Sequence, residues 1–141
     1  MSKLLERLQD ASRSGVYRAG GDAAILDALR GSTVETVHVS LEGARGKDEL
    51  LGRIAAGLNF PEWFGANWDA LEDCLDDLSW RPAAGHVLLF SGALPGRDET
   101  GTLLDVLSSC AQYWAERGKP FFAVFLDPAG ALALPALYRE A

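Results

Sequence analysis

The side chains in this chain best suited to chemistry or recognition are carboxylates gathered in one short stretch. Glu62, Asp69, Glu72, Asp73, Asp76 and Asp77 follow one another between Arg53 and Arg81, and no Lys or Arg lies among them. At about 100° per residue, Leu71, Cys74, Leu75 and Leu78 fall on one side of a helix, and Asp69, Glu72, Asp73, Asp76 and Asp77 on the other. Like charges one turn apart (Asp69 with Asp73, Glu72 with Asp76, Asp73 with Asp77) each cost about 0.2–0.5 kcal/mol in an isolated helix. Asp76 and Asp77 also sit at the unfavourable end of the helix dipole. A charged face ordinarily just keeps a helix solvated. Here Trp63, Phe64 and Trp68 precede the carboxylates, and aromatics beside unpaired charge have the composition of a binding surface. The competing reading is a packed hinge between two helices, with Gly65 supplying a turn and Asn67 an N-cap; some of the three aromatics are expected to serve that way.

Carboxylates could also hold Mg²⁺, with Asp69, Asp73 and Asp76 or Asp77 as hard oxygen ligands. That reading is disfavoured because all of them come from one helix. No glycine-rich phosphate loop, nucleophile motif or histidine pair accompanies them. His38 and His86 fall in expected strands and read as structural. Cys74 and Cys110 are far apart, with no CxxC or Cys/His ligand spacing, and read as buried thiols on helices. The expectation is a protein that is not an enzyme and needs no metal or cofactor.

The elements that must position this segment are legible from periodicity. Val34 to Leu41 is β-branched and partly alternating, a strand bounded by Gly31 and Gly43. Lys47 to Leu58 carries Leu50, Leu51, Ile54, Ala55 and Leu58 at helical spacing and stops at Asn59 before Pro61. His86 to Phe90 and Phe121 to Leu126 are almost unbroken apolar runs, as in parallel strands covered on both faces. Thr102 to Arg117 is again helical, stopped by Gly118 and Pro120. Strand, helix, helix, strand, helix, strand indicates an α/β fold with parallel crossovers. Lys3 to Gln9, Val16 to Ala19 and Ala23 to Arg30 read as helix, short strand and helix in an appended segment. The tail after Asp127 reads as packed coil or one short turn.

Bulk properties narrow the function. With 141 residues and 48% hydrophobic content the chain suits one core. A formal charge of -7, from 20 acidic and 13 basic residues, repels phosphate backbones and attracts cationic surfaces. Direct nucleic-acid binding is therefore not expected. The first ten residues interleave charges with leucines, which argues against a signal peptide or a membrane span and makes the cytoplasm the default compartment.

The run Phe-Pro-Glu-Trp-Phe-Gly-Ala-Asn-Trp-Asp-Ala-Leu-Glu-Asp-Cys-Leu, Phe60 to Leu75, resembles the core motif of the barstar family of ribonuclease inhibitors. Pro61, Glu62, Gly65, Asn67, Asp69, Ala70, Leu71, Asp73, Cys74 and Leu75 agree with the family pattern, and Trp63 and Phe64 occupy its two aromatic positions. The following strand, helix and strand fit in order. The resemblance spans roughly residues 34 to 127 and implies a small three-stranded parallel sheet packed with helices. It divides the chain into an N-terminal extension, 1–31, and a barstar-like domain, 32–141.

What the resemblance implies is an antitoxin or immunity role. The acidic helix would enter the active-site groove of a basic ribonuclease and place carboxylates where RNA phosphates bind. Asp69 and Asp73 match the two interface aspartates, and the implied surface also takes in Trp63, Phe64, Gly65, Asn67, Trp68, Glu72 and Asp76. Ala66 stands where an acid is common, Glu72 where an aromatic contact can occur, and Trp68 where a smaller aliphatic residue occurs. On the last long helix Tyr113 stands where the family has an acidic contact and Glu116 is nearby, so that contact is left unassigned. The alternative is an acidic interaction module for a basic protein that is no nuclease.

Overall fold

The computed structural model describes residues 3–138. Four parallel strands form its sheet: β1 (Gly15–Ala19), β2 (Val34–Ser40), β3 (Gly85–Ser91) and β4 (Phe121–Leu126), in the order β1-β4-β3-β2. The helices are α1 (Lys3–Leu8), α2 (Ala23–Leu29), α3 (Lys47–Leu58), α4 (Trp68–Asp77) and α5 (Arg97–Glu116), with a short 3₁₀ turn at Ala11–Arg13. The expected three-stranded sheet is therefore corrected to four. The added strand comes from the segment read as appended: β1 lies beside β4 in register Gly15↔Phe122 to Ala19↔Leu126. Five residues are too few to declare a sheet strand from sequence, because such a short strand is held by its neighbour more than by its own pattern.

Alternation along the strands divides the core in two. On one face Val37, Val39, Leu88, Phe90, Ala123 and Phe125 pack under α3, α4 and α5. Phe90 and Phe125 stack there with ring centroids 4.8 Å apart. On the other face Val87, Leu89, Phe122 and Val124 are covered by Leu8, Ile25, Leu29 and the tail residue Leu137. The central strands β3 and β4 are buried along nearly their whole length, which explains their unbroken apolar sequence. Each fully buried Leu or Phe contributes about 1.5–3 kcal/mol relative to exposure.

The tail does more than cap the second core. Arg18 N–H donates to Pro135 O at 2.9 Å and Leu137 N–H donates to Arg18 O at 2.9 Å, so the tail runs beside β1 as an isolated parallel bridge. That covers backbone groups an edge strand would otherwise leave open. Just beyond the carboxyl end of β3, Gly92 (φ +96°) lies so close to the turn after β2 that a Cβ would sit 2.6 Å from Glu42 N. Only glycine fits there. No helix among the described residues is long and apolar enough to cross a membrane.

Candidate functional site: the acidic face of α4

The approach to α4 is built by backbone punctuation. α3 ends at Asn59, in the left-handed region (φ 54°), and Phe60 N–H closes back onto Ala55 O at 2.9 Å. Pro61 to Phe64 turns, with Phe64 N–H donating to Pro61 O at 3.0 Å. The left-handed residue of this hinge is Ala66 (φ 52°), not Gly65. Asn67 then caps α4, its Oδ1 accepting the Ala70 N–H at 2.7 Å. Leu78 (φ 51°) closes the far end, its N–H donating to Cys74 O at 3.0 Å.

Burial fixes which side of α4 faces outward. Leu71, Cys74 and Leu75 are fully buried, Asp69, Asp73 and Asp77 are exposed, and Glu72 and Asp76 are half-buried. The helix is clamped to α5 by side chains that reach its backbone. Trp114 Nε1 donates to Leu75 O at 2.8 Å, and the Cys110 thiol lies 3.9 Å from Glu72 O. Among the described residues no Lys, Arg or His forms an ion pair with any carboxylate of α4. Asp69 and Asp73 therefore stand one turn apart, exposed and uncompensated.

Asp76 differs from its neighbours. Its Oδ1 is buried and has no hydrogen-bond partner among the described residues. Burial pushes its carboxyl above the usual range; Glu72 and Asp73 push the same way, while Cys110 and Arg117 pull it back. A helical projection places Asp76 on the polar side because it cannot show that α5 covers that flank. Arg117 is held over the Tyr113 ring, 3.5 Å from its centroid, and donates to Tyr113 O. Tyr113 is half-buried and Glu116 exposed, with Gln112 donating to the Glu116 carboxylate at 3.2 Å.

Of the three aromatics at the hinge and the first turn of α4, Trp63 is the exposed one, at 60%. Phe64 and Trp68 are half-buried against the core and serve the hinge. Phe60 and Trp80, which the sequence did not single out, complete an edge-to-face cluster: Phe60 meets Phe64 at 4.9 Å and Trp80 at 5.9 Å, and Trp63 meets Trp80 at 6.5 Å. Trp80 is anchored by its Nε1–H to Leu58 O at 3.0 Å. Its proximity to Trp63 arises only once α4 folds back, a tertiary fact with no local signal.

The histidines and cysteines lie elsewhere in the architecture. His86 is 1% exposed, with Nε2 2.9 Å from Arg81 O, and burial holds its pKa below the ordinary value. It is a neutral donor inside a clip in which Arg81 binds Glu35 at 2.8 Å and Asn59 Oδ1 at 2.8 Å. His38 is exposed and pairs with Ser91 Oγ at 2.8 Å. Cys74 and Cys110 are free and buried, and burial pushes both thiols up. Among the described residues no three His, Cys, Asp or Glu side chains converge as a metal site.

What this arrangement offers is a rigid, uncompensated acidic ridge beside an open indole. No curated protein sequence matches the chain. A family model described as barstar (barnase inhibitor) matches residues 34–126, a span that holds α3, the aromatic hinge, α4 and α5. The chain belongs to the barstar family.

Proposed function

We propose that this protein inhibits a basic ribonuclease by seating the outer face of α4 in the enzyme's active-site groove. The family is one of barnase inhibition, and the observation that carries the reading here is the pair Asp69 and Asp73. Both are exposed on a helix fixed at both ends and clamped to α5, and neither has a cationic partner among the described residues. A ribonuclease groove lined by Arg and Lys to hold phosphates would meet carboxylates one turn apart, and charge-assisted bonds formed there are strong when both partners are satisfied. Docking would also relieve the repulsion the helix carries alone. Because Asn67 and α5 already hold α4 in place, little ordering remains to oppose binding.

Trp63 would supply the apolar contact at the N-terminal end of the ridge, with Gly65 and Asn67 allowing close approach. Glu72 and Asp76 would extend the acidic field. Phe64 and Trp68 support the surface from beneath. The reading places the protein's action in the cytoplasm, guarding the cell against a nuclease toxin. A second reading, an acidic module for a basic protein that is no nuclease, draws on Ala66 and Glu72, where the expected acid and aromatic contact are replaced.

Immobilised wild type and an Asp69→Ala/Asp73→Ala variant, used as paired baits, test the proposal. Wild type alone is expected to retain a basic protein and suppress its RNA cleavage. A retained partner that cleaves no RNA, or equal retention on both baits, would remove the inhibitory reading and leave the fold standing.

A further inference from the structure

A cavity of about 760 Å³ opens at the carboxyl ends of β3 and β4, between the loop Gly92–Pro95, the first turns of α5 and the tail segment 131–133. Ligands of open parallel sheets characteristically bind outside the carboxyl ends of the strands, and the volume lies in the range of small-molecule sites. Leu94, Leu104, Phe125 and Leu132 make its surface mainly apolar.

Its walls are held in place by the fold. Gly92 is pressed against the Glu42 backbone, and on the tail side Asp127 Oδ2 accepts the Leu132 N–H at 2.8 Å while Gly130 N–H donates to Asp127 O. Gly101, in the interior of α5, faces this space, and a Cβ there would meet nothing within 4 Å. The walls of the cavity are thus braced by the fold, and Gly101 leaves its part of the α5 wall without a side chain.

The charged groups at its rim are Arg97 and Asp127. Asp127 is committed to the Leu132 N–H, whereas Arg97 is exposed and pairs with no carboxylate among the described residues. We propose that the cavity binds a small amphipathic monoanion, an apolar chain or ring carrying one carboxylate-like group, with the body against Leu94, Leu104 and Phe125 and the anion on Arg97. The site is independent of the inhibitory surface. α4 grips α5 at Cys110 and Trp114, and Cys110 is about 20 Å along the helix from Arg97.

Anilinonaphthalene sulfonate, an aromatic monoanion that fluoresces in apolar sites, is the first probe, decanoate is the competitor, and neutral Nile red is the control. Wild type is expected to bind the sulfonate saturably with one site while still melting cooperatively, and decanoate to displace it. Gly101→Leu, which places a side chain in the cavity at a helix-compatible position, should weaken both dyes at least tenfold. Ala133→Leu does the same from the opposite wall, should the first variant fold poorly. Arg97→Gln should weaken the sulfonate several-fold and leave Nile red unchanged. Absence of saturable binding, failure of decanoate to compete, or full binding by folded cavity-filled variants would overturn the site. Equal loss of both dyes on Arg97→Gln would overturn the monoanion assignment.

Discussion

Replacing Asn67 by alanine removes the acceptor that caps α4, together with a long 3.5 Å bond from its Nδ2 to Gly65 O. Asn67 Oδ1 takes the Ala70 N–H at 2.7 Å, one of the four amides that a helix start leaves without an internal partner. The cap is exposed, so water will replace part of the bond, and the net cost is about 1 kcal/mol. For a domain of this size that is a fall of about 3–5 °C in midpoint temperature. Asn67→Asp keeps the acceptor and adds charge that the helix dipole favours, but it stands two residues from Asp69; it should stay close to wild type. Urea and thermal unfolding of the three proteins, followed by circular dichroism, give the comparison. Because α4 carries the proposed contact surface, Asn67→Ala should also weaken partner binding by a few-fold through fraying of the first turn. Equal stability of Asn67→Ala and wild type, or an Asn67→Asp variant as unstable as the alanine, would refute the capping argument.

Other perturbations follow from the same geometry. Ala66→Gly relieves a left-handed alanine at φ 52°; the relief of about 1–2 kcal/mol exceeds the entropy glycine adds to the unfolded chain, about 0.4–1 kcal/mol, so the urea midpoint should rise. Asp76→Asn removes a charge that burial, Glu72 and Asp73 all oppose. It should stabilise by about 0.5 kcal/mol at pH 7. Since the folded carboxyl titrates above its unfolded value of 3.8, that advantage should shrink as pH falls through the folded pKa toward 3.8. His86 has its folded pKa below 6.5. Its contribution is therefore fully present above pH 6.5 and is lost as pH falls from there to the folded pKa, because only the unfolded imidazole takes the proton. Unfolding midpoints between pH 7.5 and about 5.5 should decline in wild type and decline less in His86→Gln.

Elements with long periodic runs were readable in advance. α3 is found at Lys47–Leu58 and β4 at Phe121–Leu126, as their apolar spacing indicates. β2 stops one residue before its expected end, and β3 is one residue longer than expected at each end. α5 begins at Arg97, five residues before its apolar pattern, because Asp98, Glu99 and their neighbours form a polar first turn suited to the helix dipole but silent in periodicity. β1 was visible only as a candidate strand, and its place in the sheet depends on β4 and on the tail, both more than a hundred residues away. The candidate site divides in the same way. Asn67 as a cap, the buried Cys74 and the outward Asp69 and Asp73 follow from local rules. The burial of Asp76 under α5 and the pairing of Trp63 with Trp80 are products of tertiary packing, and the left-handed turn residue is Ala66 rather than Gly65.

The central claim is that Asp69 and Asp73 block a ribonuclease active site, and titrating RNA cleavage by the basic ribonuclease that the wild-type bait retains tests it most directly. Wild type should abolish cleavage at about one equivalent, more slowly at high salt as steering is screened. Asp73→Ala should weaken inhibition by about 30- to 5,000-fold, from the roughly 2–5 kcal/mol lost when one partner of a buried interfacial charge pair is truncated. Inhibition by wild type that is unchanged in a folded Asp69→Ala/Asp73→Ala variant would contradict the account.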